Sequence, residues 1–204
     1  MTAPPGVRPY LIVLAGPNGA GKSTFYDLFL EGLPVPFINA DRIARTVFPG
    51  QAPADYEGAR IADAERRRLV AEGQSFVMET VFSDRAGDKV EFLRRARGAG
   101  FFVVLVYIGL DSAKLAAARV AHRVRNGGHD VPLARIRPRF GRSLANLRRA
   151  LRFVDHAVLY DNSGPPYVRV AELARGLTLW GAPHLPRWMK GVLPQSRRTD
   201  RAIE

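Results

Sequence analysis

The 204-residue chain carries 31 Lys and Arg against 19 Asp and Glu, a net charge of +12, and has no cysteine. Its length suits one domain with a sizeable core, while disulfides and thiolate metal sites are excluded. The longest apolar run, Phe101 to Leu110, is too short to span a bilayer, and Pro4, Pro5 and Gly6 stand where a secretion signal would need apolar residues. The expectation is a soluble, cytoplasmic protein with no membrane partner.

In chain order, Tyr10 to Ala15 has the length and branching of a buried strand. Gly16-Pro17-Asn18-Gly19-Ala20-Gly21-Lys22-Ser23-Thr24 follows it, a full G-x-x-x-x-G-K-[ST] phosphate-binding motif. A helix beginning at Lys22 is predicted from the spacing of Phe25, Leu28 and Phe29. In that strand-loop-helix context, backbone N–H groups from Gly19 to Ser23 cradle a β-phosphate at a helix N-terminus. Lys22 reaches the β- and γ-phosphates, and the Ser23 hydroxyl ligates Mg²⁺. The chain is therefore expected to bind a nucleoside triphosphate, ATP or GTP.

Phe37 to Ala40 reads as a second strand, with a helical stretch from Asp41. Ala54 to Glu72 reads as a long polar helix, Ser75 to Thr80 as a strand, Asp84 to Arg97 as a helix and Phe101 to Ile108 as a further strand. Strands alternating with helices predict an α/β fold with a parallel sheet covered on both faces, which binds ligands at the C-terminal strand ends. Two carboxylates fall at such ends. Asp41 is placed to take a proton from a hydroxyl under attack or to organise Mg²⁺, and it is also placed to cap the helix after it. Glu79, followed by Thr80, reads either as a Walker-B-like acid holding Mg²⁺ through water or as a grip on acceptor hydroxyls.

Between Ser112 and Val154 stand eleven cations, nearly all arginine, against the single acid Asp130, a net of +10. Asp111-Ser112 begins a helix in which Arg119 and Arg123 share one face. Residues 126–132 form a glycine hinge that contains His129, and Leu133 opens a second helix with an apolar stripe of Ile136, Phe140, Leu144, Leu147 and Leu151. Arginines on both arms of such a hinge suit a lid that closes over phosphates. His122 and His129 lack the spacing of a zinc pair. His156 to Tyr160 is a last core strand leading to Asn162, Tyr167 to Ala171 an edge strand, and Trp180 to Pro194 a docked irregular segment.

Taken together, Gly16–Thr24, Phe37–Asp41, Phe76–Thr80, Arg119–Val124, Gly127–Pro132 and Leu159–Ser163 resemble the zeta toxin family of P-loop kinases over residues 10 to about 165. The resemblance implies a three-layer P-loop kinase-type sandwich with a mostly parallel sheet of five to six strands. A helical arginine-rich lid would span about 112–152, within a single domain over 1–194 that ends in a flexible tail, 195–204. It implies Asp41 as general base, Lys22 and Ser23 as phosphate and Mg²⁺ ligands, and lid arginines, of which Arg123 and Arg139 are the candidates, on the transferred phosphoryl group. The candidate substrate contacts are Asn39, Asp41, Glu79, Thr80 and Arg119. Gly16, Pro17, Asn18, Gly19, Ala20, Gly21, Lys22, Ser23, Thr24 and Asn162 are the candidate nucleotide contacts. Characterised zeta toxins phosphorylate UDP-N-acetylglucosamine and related UDP-sugars, so a UDP-sugar acceptor, toxin activity and an antitoxin partner follow as expectations. Two other readings stay open. One is a nucleic-acid-end kinase using the +10 segment, which is poor in aromatic stacking platforms; the other is a nucleotide-dependent binding module with little catalysis.

Overall fold

Strand β1 (Tyr10–Ala15) runs through the middle of the sheet and is buried on both faces, which is why its sequence shows no polar alternation. The computed structural model describes residues 8–49, 54–127 and 131–194; His129 and the expected 195–204 tail lie outside them. β2 (Phe37–Ile38), β3 (Phe76–Thr80), β4 (Phe102–Gly109) and β5 (His156–Asp161) join β1 in parallel, and β6 (Val168–Ala174) and β7 (Leu177–Gly181) extend the sheet antiparallel. The strand order is β2-β3-β1-β4-β5-β6-β7. Ala15 pairs with Thr80 of β3, so β1 and β3 end at the same level and their following loops lie side by side.

The seventh strand was not expected. Leu177–Gly181 pairs with β6 across Arg175 and Gly176, both in the left-handed region (φ 48° and 83°), the conformation a two-residue hairpin requires. The predicted edge strand is thus internal, and Trp180 belongs to β7 rather than to an irregular segment. The docking of the remainder holds. A 3-10 turn (Arg187–Met189) buries Trp188 and Met189, and Trp188 Nε1–H donates to Asp161 Oδ1 at 2.8 Å. The indole lies against Gly109 so closely that a Cβ there would overlap the ring. Gly109→Ala is therefore expected to cost on the order of 1–3 kcal/mol, read as a lowered Tm; an unchanged Tm would show that this segment is not docked as described.

Helices cover both faces. On one, α1 (Lys22–Phe29) and α5 (Ala113–Arg125) bring Phe25, Tyr26, Ala116 and Val120 onto Leu14 and Ile108. On the other, α3 (Ala54–Ala71) and α4 (Asp88–Gly98) bring Ala62, Leu69 and Leu93 onto Leu11 and Val13. α2 (Ala40–Val47) packs on α3. The last helix, α6 (Leu133–Ala150), serves both faces: Ile136 enters the first core, and Leu147 and Ala150 enter the second. The stripe read from sequence as one apolar face is thus divided between two cores. α6 thus reaches both cores, and between these contacts it carries Pro138, Arg139 and Arg142.

Residues 84–87, expected to be helical, belong instead to a loop between β3 and α4, because α4 starts only after Gly87 in the left-handed conformation. Phe82 is also left-handed (φ 58°) while fully buried, a conformation that costs a non-glycine residue free energy and persists only where neighbours over-determine it. Here they do. The Phe82 N–H donates to Thr80 Oγ1 at 3.0 Å, Asn146 Nδ2 donates to the Phe82 and Asp84 carbonyls at 3.1 Å each, and Arg142 Nε donates to the Ser83 carbonyl at 2.8 Å. α6 therefore holds the β3–α4 loop rigid beside the strand ends. Among the described residues, no helix is long and apolar enough to cross a membrane.

Candidate active site

The phosphate loop closes onto an uncapped helix. Gly21, at φ 86°, is the N-cap residue of α1 and supplies no side-chain bond to it, so the first-turn N–H groups are available to an anion. A Cβ at Gly21 would meet Asn162 Nδ2 and the Tyr167 hydroxyl, each at 2.7 Å. Those two groups brace the loop from outside: Asn162 Nδ2 donates to the Ala20 carbonyl at 2.9 Å and Tyr167 Oη–H to the Gly21 carbonyl at 2.8 Å. Asn162, predicted as a nucleotide contact, is thus placed as a support of the loop. Tyr167 was not predicted. Burial pushes its hydroxyl pKa up, which keeps it a donor.

Lys22 is only 6% exposed, with Nζ donating to the Pro17 carbonyl at 3.1 Å and standing 3.7 Å from Glu79 Oε1. Burial pushes its pKa below the ordinary lysine value; Glu79 and Asp41 oppose this and Arg123 of α5 adds to it. The ammonium is thus under-compensated, a state that a polyphosphate would relieve. Glu79 is the hub between loop and strand. Its Oε2 accepts from Ser23 Oγ–H at 3.1 Å and from Asn39 Nδ2 at 2.7 Å. A hydroxyl and carboxylates form an all-oxygen donor set that suits Mg²⁺. Among the described residues no group of three His, Asp or Glu gathers at metal-binding spacing, so a Mg²⁺ here would be held by Ser23, by Glu79 through water and by phosphate oxygens.

The capping question at α2 resolves in favour of Asn39. Its Oδ1 accepts from the Arg42 N–H at 3.0 Å, which leaves Asp41 in the first turn with an exposed side chain. Asp41 lines a cavity of about 340 Å³ together with Asn39, Glu79, Thr80 and Arg139. Four predicted substrate contacts and one predicted lid arginine therefore meet in one place. Arg123, on α5, stands near enough to Lys22 to act on its charge, while Arg139 of the cavity belongs to α6. Arg119 is not among the cavity residues. It packs against Gly19 and donates to the Ser163 carbonyl at 3.3 Å, on the side of the phosphate loop.

Three charged residues of the cavity wall were not anticipated: Arg66, Asp84 and Lys89. Arg66 sits in the run Arg66-Arg67-Arg68, which reads as a solvated face. Its spacing from Ala62 and Leu69 places it on the buried side of α3, and that interruption of an apolar stripe was the available signal.

Residues 11–139, from β1 to the cavity arginine Arg139, match the AAA domain family. The chain belongs to that family. An uncharacterised protein of Haemophilus influenzae is 32% identical over 120 residues, covering 58% of this chain and 83% of that one. Among solved structures, the PezAT chromosomal toxin-antitoxin system of Streptococcus pneumoniae matches with a TM-score of 0.60 at 15% identity, over 84% of this chain and 72% of that chain. The ATP-bound AvrRxo1-ORF1:-ORF2 structure matches with a TM-score of 0.57 at 16% identity, over 95% of this chain and 66% of that chain. At such identities the likeness is one of fold, and this AAA domain chain has the α/β P-loop kinase-like architecture.

Proposed function

We propose that the protein is a P-loop kinase that moves the γ-phosphate of ATP or GTP onto a hydroxyl of a small molecule bound in the Asp41–Glu79 cavity. One observation carries this reading: the phosphate loop and the cavity share Glu79, which touches Ser23 and Lys22 on one side and walls the cavity beside Asp41 on the other. Asp41 accepts the hydroxyl proton as the oxygen attacks phosphorus. The bond from the γ-phosphorus to the bridging oxygen breaks, and ADP or GDP leaves. Lys22 offsets the charge growing on that bridge, while Arg139 and Arg123 approach from the two lid arms. Mg²⁺, held by Ser23 and through water by Glu79, would offset negative charge on the phosphates. The resemblance to zeta toxins supports this assignment and makes a UDP-sugar such as UDP-N-acetylglucosamine the candidate acceptor, with toxin activity and an antitoxin partner. The likeness in fold to a toxin-antitoxin structure is in keeping with it.

The test is phosphoryl transfer from γ-labelled ATP with Mg²⁺ to UDP-sugars, polyols, hydroxy acids, nucleosides and oligonucleotide ends. Label in a small acceptor is the expected result. Label on oligonucleotide ends would move the function to nucleic-acid repair chemistry. Failure to bind nucleotide would overturn the reading altogether.

A further inference from the structure

The wall of the acceptor cavity carries an unmet charge. The side chain of Arg66, from α3, is 5% exposed, and its Nε–H has no hydrogen-bond partner. Asp63 Oδ1 stands 3.6 Å from the guanidinium, but Asp63 is shared: it also meets Lys89 Nζ at 3.0 Å and Arg67 at 2.6 Å. One carboxylate therefore answers three cations, two of which, Arg66 and Lys89, line the cavity. Burying a guanidinium with an unpaired donor is unfavourable, and an anion placed beside it would offset that cost. A second unmet atom lies in the same wall. Asp84 Oδ1 is buried without a partner, while its Oδ2 accepts a long bond, 3.4 Å, from the Lys89 N–H. Arg66 and Asp84, the residues that carry these two atoms, both line one cavity of about 340 Å³, toward the small end of ligand sites.

We infer that the acceptor is a compact hydroxylated anion, a carboxylate or a phosphate ester, in place of the larger UDP-sugar that the resemblance alone suggests. Its charged group rests on Arg66 beside Lys89, one of its hydroxyls donates to Asp84, and another is presented to Asp41. The planar guanidinium supplies the parallel N–H donors that both anions accept. The other carboxylates of the wall do not cancel this seat, because Glu79 is already engaged by Lys22, Ser23 and Asn39. This rests on the kinase reading for the role of the cavity, but the anion seat is a binding claim that can be tested without turnover.

The experiment saturates the full chain with a non-hydrolysable ATP analogue and Mg²⁺, so that the phosphate loop cannot take up the probes. It then titrates glycerol, glycerate and glycerol 3-phosphate while following the Arg66 Nε–H resonance by nitrogen-15 NMR. At least one of the two anions is expected to shift that resonance and to bind tenfold or more tightly than glycerol; which one does so separates carboxylate from phosphate ester. Arg66→Met should abolish the preference for the anion. Asp84→Asn, which leaves the guanidinium in place, should retain the preference while weakening every probe. An Arg66 resonance unmoved by either anion, or equal affinity for all three probes, overturns the inference. Binding as expected with no transfer from ATP to any acceptor would leave the anion seat standing and remove the kinase reading instead.

Discussion

Lys22→Met is expected to reduce phosphoryl transfer by a factor on the order of 10² to 10³, the usual loss when one preorganised donor to developing charge is removed. The same change should leave the folded protein as stable as before or more so. Lys22 is 6% exposed, and its ammonium is balanced by one carbonyl and by Glu79 at 3.7 Å. Burial holds its pKa below that of a free lysine, so at neutral pH the unfolded chain binds the proton more tightly and folding bears the difference. Methionine fills the same space without a charge, and Glu79 keeps its bonds from Ser23 and Asn39. Because the unfolded state binds more protons between the folded and unfolded lysine values, wild-type stability from this group rises with pH. Any advantage of the methionine variant in Tm should accordingly shrink as pH is raised toward the ordinary lysine range. Transfer within tenfold of wild type would remove Lys22 from the mechanism, and a variant that no longer melts cooperatively would show that its charge is structural.

The phosphate loop was legible because its function constrains consecutive residues: glycine where the backbone must turn, then Lys and Ser at fixed offsets. The placement of Asp41 and Glu79 at one edge was legible because parallel strands deliver whatever follows them there. Arg66, Asp84 and Lys89 were not, since they come from α3, α4 and an irregular loop, and only tertiary packing brings them together. Residues 84–87, at the end of the loop after β3, read as helix in the sequence but precede α4. What decides the path of that loop is the left-handed Phe82, its carbonyl held by Asn146 and that of Ser83 by Arg142, each from more than fifty residues away. The division of α6 between two cores had the same origin. A 3.6-residue stripe shows that a face is apolar without showing that its two halves meet different sides of a sheet. The β6–β7 hairpin was missed because Arg175-Gly176 places a bulky residue at a left-handed position where the familiar turn signal is Asn or Asp.

The capping arrangement at α2 makes Asp41→Asn an unusually clean test of catalysis. Were Asp41 the cap, an asparagine would still cap, and loss of activity would be hard to separate from small shifts of the helix. The cap is Asn39, whose Oδ1 holds the Arg42 N–H and whose Nδ2 holds Glu79. Asp41→Asn touches neither bond, and stability should stay within about 0.5 kcal/mol of wild type, as for a surface change away from packing. The amide has nearly the shape of the carboxylate but cannot accept the acceptor's proton, so kcat should fall by a factor on the order of 10² to 10⁴. Nucleotide affinity should hold, since Asp41 belongs to the cavity and not to the phosphate loop. A parallel fall in kcat and nucleotide affinity would recast Asp41 as an organiser of Mg²⁺ rather than a base. An unchanged kcat would mean that the hydroxyl proton leaves by another route, with Glu79 the next carboxylate at the same wall.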